Sequence, residues 1–163
     1  MEPKIDLNFY NNIPRKRMSA GLLILDENSR LLLVHPTYRD DTWNLPGGIV
    51  EEDESPKAAG EREAKEEIGM DIRAGKMLAA DYYHNSLGKG DAIHFVFDGG
   101  TISEAQLKKS VVLQKGELDN WGLFALDEAL KLLKPNLQKR YGLAFQARLS
   151  GQMFYLENSK IAA

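Results

Sequence analysis

Residues 48–70 read GIVEEDESPKAAGEREAKEEIGM, and the prediction of the fold starts from this stretch. Ser55 is a good N-cap, Pro56 suits the first position of a helix, and Gly69 is a typical residue just past a helix end. These signals predict one helix between them. The preceding turn, residues 45–48 (LPGG), has two glycines that let the backbone approach a ligand closely. A glycine turn that leads into a helix fits a phosphate-binding site.

The predicted helix carries three carboxylates on one face. At about 100° per residue, Glu63, Glu66 and Glu67 fall within an arc of roughly 100°. At about 5 Å separation and an effective dielectric of about 20, each pair of charges repels by roughly 3 kcal/mol. A positive charge must therefore lie beside them, or some of them must stay protonated. Hard divalent cations with oxygen ligands, Mg²⁺ or Mn²⁺, meet this need.

The alternative interpretation of the same helix is a solvated acidic surface. Arg62 and Glu66 form an ordinary i,i+4 pair, and so do Glu61 and Lys65. Runs of charge are usually solvated surface, so the segment EREAKEE taken alone favours this alternative.

The full spacing changes that balance. Gly48, five residues, Glu54, seven residues and then residues 62–70 (REAKEEIGM) form a pattern that resembles the Nudix box throughout. One mild departure is Ala64, where the family more often has a larger aliphatic residue. The resemblance implies an α/β fold of the Nudix type, an α/β/α sandwich with a mixed sheet and C-terminal helices. It also implies Mg²⁺-dependent cleavage of a diphosphate linkage.

The resemblance assigns roles within the box. It implies that Glu63, Glu66 and Glu67 are metal ligands and that the Gly48 carbonyl is a backbone ligand. The expected cofactor is Mg²⁺ or Mn²⁺. By the same resemblance, Glu54 and Arg62 stabilise the loop–helix–loop, and Arg62 also orients the Glu66 carboxylate.

One acid outside the box completes the expected catalytic group of Arg62, Glu66, Glu67 and Glu117. Many Nudix enzymes place a further acid in the loop after the central strands, and Glu117 occupies that place here. Such an acid is a metal ligand or the general base, and a base must reach the attacking water at about 2.6–3.2 Å, directly or through one water. The alternative for Glu117 is an ordinary acid of a surface turn.

Substrate contacts depend on aromatic and basic side chains. Tyr38, Tyr83 and Phe95 offer faces on which a base could stack, although strand aromatics are more often core. Arg39, in a loop, could meet phosphate. We predict Tyr38, Arg39 and Tyr83 as substrate-binding residues. The three histidines lack metal-ligand spacing and are interpreted as ordinary strand or loop residues.

The rest of the chain predicts alternating strands and helices in one domain, residues 1–163, with residues 1–17 as an arm that ends in a basic cluster. Predicted strands cover 19–25 and 31–35 as a hairpin, then 43–45, 72–84, 92–98, 111–113, 122–124 and 153–156. Residues 99–109 are a loop or short helix. Asp127 is predicted to cap a helix over 128–133, and a second C-terminal helix covers 136–149. Strands with helices before and after fit a layered α/β/α fold.

Composition bounds the partners. The net charge of −3 gives no broad basic surface for nucleic acid. The chain contains no cysteine, which excludes a disulfide framework and agrees with a cytoplasmic location. No apolar run approaches the roughly 18 residues of a membrane span. The sequence leaves the oligomeric state open, with a homodimer as one candidate because dimers are common in the family that the chain resembles.

Three functions remain open from the sequence. The first is hydrolysis of a nucleoside diphosphate linked to another group, with a nucleoside triphosphate or a nucleotide sugar as the small substrate. The second is a ligand-sensing Nudix domain without turnover, against which the complete carboxylate set argues. The third is an RNA 5′-end or cap pyrophosphohydrolase, against which the acidic balance counts. A proline that marks ADP-ribose enzymes is absent, since Asn85 stands at that spacing.

Overall fold

The computed structural model describes residues 9, 11–38, 42–84, 88 and 90–162. Within these residues, eight strands form one mixed sheet. The strands are β1 (Arg17–Leu25), β2 (Leu31–Pro36), β3 (Gly47–Ile49), β4 (Met77–Tyr83), β5 (Ala92–Thr101), β6 (Leu118–Phe124), β7 (Phe154–Glu157) and β8 (Lys160–Ile161). The helices are α1 (Pro56–Ile68), α2 (Glu104–Ser110), α3 (Leu126–Lys131) and α4 (Pro135–Ser150).

The strand order across the sheet is β6-β2-β1-β5-β4-β7-β8, and β3 pairs with β1 outside this path. The β1–β5 and β4–β7 pairs are parallel, whereas the other pairs are antiparallel. The predicted β1–β2 hairpin is confirmed. None of the helices in the described part of the chain is long and apolar enough to cross a membrane.

Each face of the sheet has its own hydrophobic core. Successive side chains of β1 alternate between the faces, as a strand requires. Leu22 packs with Ala64 and Ile68 of α1, while Leu23 packs with Phe145 of α4. Ala64 is fully buried, so the small residue at this box position lies directly in the core. The predicted α/β/α sandwich is confirmed.

The predicted ends of α1 are confirmed. The Ser55 hydroxyl accepts a hydrogen bond from the Ala58 amide at 3.1 Å, and Pro56 lies at the helix start. Gly69 ends the helix in the left-handed region, with φ of 71°, and its amide donates to the Lys65 carbonyl. The helix therefore begins and ends where its local sequence directs.

The glycine turn requires glycine for steric reasons. Gly47 has φ of 149°, and a Cβ atom there would lie 2.2 Å from the Ala20 carbonyl oxygen. Gly47 pairs with Gly21, and Gly48 pairs with Ala20. Because β3 pairs closely with β1, the glycine turn lies beside β1 and next to α1.

Some of the predicted strands are absent from the structure or too long. Residues 43–45 form no strand; Asn44 makes one isolated bridge to Val34, and its side-chain oxygen accepts the Leu45 amide. That local bond replaces a ladder bond. The strand predicted over 72–84 begins only at Met77, because the Ala74 amide donates to the Glu61 carboxylate of α1 instead of to a strand.

Other boundaries also differ from the prediction. Residues 111–113 form no strand, because the Val112 amide donates to the Ile68 carbonyl at the end of α1. β6 is longer than the predicted 122–124. Asp127 does not cap α3, because it lies in the first turn and Ala125 is the N-cap residue. β8 was not predicted. Residues 99–109, predicted as a loop or short helix, contain most of α2.

Candidate active site

The glycine turn and the carboxylates of α1 are in direct contact. The Gly47 amide donates a hydrogen bond to Glu67 Oε2 at 2.8 Å. A Cβ atom at residue 48 would lie 2.3 Å from Glu63 Oε1, so the absent side chain of Gly48 leaves the space that this carboxylate fills. The turn and the helix therefore build one site.

Four carboxylates share this site, and they are called the acidic group below: Glu63, Glu66, Glu67 and Glu117. The pKa of Glu67 is raised to about 8, first by burial and then by the negative charges of the other three members, whereas the hydrogen bond from the Gly47 amide lowers it. The pKa of Glu63 is also raised, first by burial and then by Glu66 and Glu117, against Arg62. The structure thus brings Glu117 into the electrostatic environment of the box carboxylates.

Hydrogen bonds to α1 and to Thr37 hold the loop that carries Glu117 in place. The Gln114 amide donates to the Glu67 carbonyl at 3.0 Å. The Thr37 amide donates to the Glu117 carbonyl at 2.8 Å, and the Thr37 hydroxyl donates to the Gly116 carbonyl at 2.7 Å. The exposed Glu117 side chain therefore extends from a fixed backbone.

Arg62 is the cation of the site and joins its parts. Its guanidinium binds Glu54 through two hydrogen bonds of 2.9 and 3.1 Å, and the pKa of Glu54 is lowered mainly by these bonds. Arg62 Nη1 donates to Glu63 and to Glu66, both at 3.0 Å, and Nη2 donates to the Ile49 carbonyl at 3.0 Å. One side chain thus connects the turn, the loop and the helix.

The solvated-surface interpretation describes only part of α1. The Glu61–Lys65 pair that it requires is replaced, since Glu61 accepts the Ala74 amide and Lys65 binds Asp71 at 2.6 Å. Glu67 is largely buried, unlike a solvated surface acid.

The chemistry of the acidic group fits a hard divalent cation. Among the described residues, no three His, Cys, Asp or Glu side chains stand ready arranged as a metal site. The oxygen donors are nevertheless present, and burial of Glu63 and Glu67 among like charges leaves a negative site that a cation would stabilise. Glu63, Glu66, Glu67 and the Gly48 carbonyl stay the predicted ligands of Mg²⁺ or Mn²⁺.

A cavity of about 340 Å³ opens beside the glycine turn, between β1, β5 and α4. The lining residues include Ser19, Tyr38, Asn44, Gly47, Gly48, His94, Phe95, Lys134, Arg140 and Tyr141. Gly47 and Gly48 line the cavity and also contact Glu67 and Glu63, so the cavity and the acidic group meet at the glycine turn. The cavity is therefore the candidate substrate site.

The predicted substrate residues divide in the structure. Tyr38 lines the cavity and is 72% exposed, and Phe95 lines it as well. Tyr83 is not among the lining residues and instead packs edge-on against His94, with ring centroids 6.4 Å apart. Arg39 lies outside the described residues.

Several polar residues of the cavity were not predicted. Arg140 of α4 binds the fully buried Asp81 of β4 through Nε at 2.9 Å. Ser19 Oγ and His94 Nδ1 lie 2.6 Å apart. A charged residue inside the apolar run MLAADYY was the only local signal, because every one of these pairs joins distant parts of the chain.

Comparisons with known proteins identify the family of this chain. The NUDIX domain family model matches residues 15–145. The chain is 28% identical over 120 residues to diphosphoinositol polyphosphate phosphohydrolase 2 of Rattus norvegicus, a match that covers 74% of this chain and 63% of that relative. It is 35% identical over 54 residues to the RNA pyrophosphohydrolase of Saccharophagus degradans, covering 33% of this chain and 32% of that one. The crystal structure of the MutT protein of Methanosarcina mazei superimposes with a TM-score of 0.64 at 27% identity, over 85% of this chain and 96% of that chain.

Proposed function

Because this chain belongs to the Nudix family, we propose that it is a hydrolase that cleaves the diphosphate linkage of a small nucleotide with the help of Mg²⁺ or Mn²⁺. The observation that carries the proposal is the acidic group against the glycine turn. Two of its members are partly buried carboxylates with raised pKa values, and the cavity begins at the same turn. A carboxylate cluster of this kind destabilises the protein as long as no cation is bound, so binding of a cation is favourable.

The residues divide the work of the reaction. When bound, the cation polarises the phosphate and lowers the pKa of a bound water. Glu63, Glu66 and Glu67, with the Gly48 carbonyl, supply its oxygen ligands. Arg62 holds Glu63 and Glu66 in place through Nη1.

Glu117 is the proposed general base. Its side chain is exposed, so it is free to accept a proton from the attacking water. The water oxygen forms a new bond to phosphorus, the bridging P–O bond breaks, and its electron pair leaves with the departing phosphate. The products are a nucleoside monophosphate and a phosphate or phosphorylated fragment.

The cavity supports a small substrate. Its volume of about 340 Å³ lies at the lower end of the roughly 300–1,000 Å³ range of ligand pockets, which suits one base. Tyr38 and Phe95 provide aromatic faces for stacking. We therefore place the nucleoside in the cavity and the diphosphate at the acidic group.

RNA 5′-end hydrolysis is the second candidate, and the similarity of 54 residues of the chain to an RNA pyrophosphohydrolase favours it. The net charge of −3 opposes it, because strong binding of a polyanion needs many phosphate contacts by Lys and Arg. A sensing domain without turnover is the third candidate, and it has no use for four acids held together. We propose a cytoplasmic location and a homodimer for the assembled protein, and sedimentation velocity would test the dimer.

A substrate panel tests the proposal. Nucleoside triphosphates, nucleotide sugars, ADP-ribose, a diphosphoinositol polyphosphate and 5′-triphosphorylated RNA are each incubated with Mg²⁺, and kcat/KM and the products are determined. We expect a small nucleotide to be the best substrate and EDTA to abolish its hydrolysis. A tenfold advantage for RNA that collapses at physiological salt, or hydrolysis that persists without metal, would overturn the proposal.

A further inference from the structure

A buried arginine with an unused donor borders the cavity. Arg140 is 3% exposed and lines the cavity with Ser19, His94 and Tyr141. Its Nη2 atom is buried and has no hydrogen-bond partner among the described residues. Buried polar groups in folded proteins are nearly always hydrogen-bonded, so an orphaned donor beside a cavity calls for an acceptor from a ligand.

The position of this guanidinium is fixed by Asp81. Asp81 is fully buried and accepts three hydrogen bonds: from Arg140 Nε at 2.9 Å, from the Ser159 amide at 3.0 Å and from the Ser159 hydroxyl at 3.0 Å. Ser159 reaches it from the tight turn between β7 and β8, where Asn158 and Ser159 both have positive φ, at 52° and 62°. The C-terminal hairpin thus occupies Asp81 and leaves Nη2 available.

The charge balance of this region selects the kind of acceptor. Among the described lining residues, Lys134 and Arg140 are the cations, and Arg140 is already paired with an anion. A densely phosphorylated ligand needs a cluster of unpaired cations. An ion pair with one unpartnered nitrogen, Nη2, instead matches an uncharged oxygen, because a donor left unpaired in the bound state lowers affinity.

We propose that Arg140 determines the base specificity of the enzyme by donating a hydrogen bond from Nη2 to a carbonyl oxygen of the substrate base. This inference rests on the proposed function, and it names the substrate class as nucleotides with an oxo-purine or oxo-pyrimidine. A base with an amino group at the same position would set donor against donor. Asp81 acts as a positioning residue for Arg140.

Two pairs of nucleotides, in which one member has an oxo group and the other an amino group, test the inference. IMP is compared with AMP, and UMP with CMP, by calorimetric titration in EDTA, so that binding is measured without hydrolysis. The same bases are then compared as triphosphates with Mg²⁺. The variants are Arg140→Lys, which keeps a cation for Asp81 but removes Nη2, and Lys139→Met, an exposed neighbour on α4 that serves as the control.

We expect the wild type to bind the oxo member of each pair at least about tenfold more tightly, as a hydrogen-bonding site rejects the analogue that lacks the matching group. In Arg140→Lys the affinity for the oxo member falls by about tenfold, the amino member changes little, and the loss appears in KM rather than kcat. Lys139→Met keeps the wild-type preference. Equal binding of oxo and amino bases by the wild type, or an unchanged preference in Arg140→Lys, overturns the inference.

One measurement uses only the wild-type protein, so it does not depend on whether a variant folds. In wild-type protein, the guanidinium NMR signals of Arg140 should shift with IMP and not with AMP, and equal responses contradict the inference. Failure of the proposed function is a separate result: no nucleoside triphosphate is then hydrolysed, whatever its base. Hydrolysis of all four triphosphates at equal kcat/KM leaves the proposed function standing and removes only the role of Arg140.

Discussion

The acidic group and the Arg140–Asp81 pair differ in how far their charges are compensated by neighbouring groups. In the acidic group, Glu67 is partly buried among like charges, and its pKa is raised to about 8. On the cavity side of α4, the fully buried Asp81 meets a cation and two further donors. An added cation would stabilise the acidic group. The charges of Arg140 and Asp81 already balance each other, and only Nη2 of Arg140 lacks a hydrogen-bond acceptor.

This difference separates the two tasks of the site. A cluster of carboxylates whose charge one arginine compensates only in part attracts a metal ion, and with it the phosphates of a substrate. A balanced ion pair adds no net attraction, so it can discriminate among bases by hydrogen bonding alone. The comparison therefore predicts that mutations in the acidic group lower turnover, whereas mutations around Arg140 change selectivity.

The largest effect is expected from Glu67→Gln and Glu66→Gln. Each removes a predicted metal ligand and should lower kcat at least about 100-fold, which corresponds to about 2.7 kcal/mol of lost transition-state stabilisation. The fold should survive, since the amide side chain that replaces Glu67 keeps an oxygen for the Gly47 amide. Steady-state kinetics with circular dichroism checks this.

Glu52→Gln is the control for these two variants, because Glu52 is an exposed acid of the same stretch. It should hydrolyse the substrate at the wild-type rate. If Glu66→Gln and Glu67→Gln stay within threefold of wild type with intact dichroism, the acidic group is not the metal site.

Glu117→Gln should have the next largest effect. We expect kcat to fall by about tenfold to 100-fold with nucleotide affinity retained, because a general base acts on the attacking water and not on the bound ground state. Asp119→Asn, two residues away, is the control, since Asp119 binds His35. An unchanged rate in Glu117→Gln would make Glu117 an ordinary surface acid.

Arg62→Lys tests the connection between the turn and the helix. Lysine keeps the charge but cannot hold Glu54, Glu66 and the Ile49 carbonyl together, so we expect about 1–3 kcal/mol less stability and a moderate loss of kcat. Urea unfolding measures the first quantity. Arg73→Lys, at a site whose side chain is 93% exposed, should change stability by less than about 0.5 kcal/mol. Equal stability of the two variants would refute the connecting role.

The smallest effect concerns His94 and pH. The pKa of His94 is lowered to about 4, first by burial and then by the charges of Arg140 and Arg17, against the opposite effect of Asp81. The pKa of a histidine in an unfolded chain is about 6.5. Between about pH 6.5 and pH 4 the unfolded chain therefore binds more protons than the folded protein. Stability should therefore fall as pH falls through this window.

His94→Gln removes the titrating group and should flatten that fall, by less than about 2 kcal/mol because the His94 side chain keeps some solvent contact. Chemical unfolding of both proteins from pH 8 to pH 4 provides the comparison. Parallel pH profiles for the two proteins would show that His94 titrates normally.

The two regions also differ in how far the sequence predicted them. Within the box, spacing along one helix fixes which carboxylates share a face, and capping signals fix both helix ends, so residues 55–69 were predicted correctly. Arg140 and Asp81 are 59 residues apart and meet only through the sheet topology. Ser19 and His94, 75 residues apart, are adjacent because β1 and β5 are parallel neighbours.

The misplaced strands have the same cause. Residues 111–113 have strand-like side chains, but the Val112 amide binds the end of α1, a partner that no local pattern specifies. The strand predicted over 72–84 was too long because Glu61 of α1 takes the Ala74 amide. Tertiary hydrogen bonds decided both.

Direct titration with Mn²⁺ tests the central claim, that Glu63, Glu66 and Glu67 of the acidic group hold the catalytic cation. Electron paramagnetic resonance counts free Mn²⁺ in the presence of wild type, Glu67→Gln and the control Glu52→Gln. We predict that wild type and Glu52→Gln bind Mn²⁺ alike and that Glu67→Gln binds it at least about tenfold more weakly. Equal Mn²⁺ affinity in all three proteins would contradict the claim.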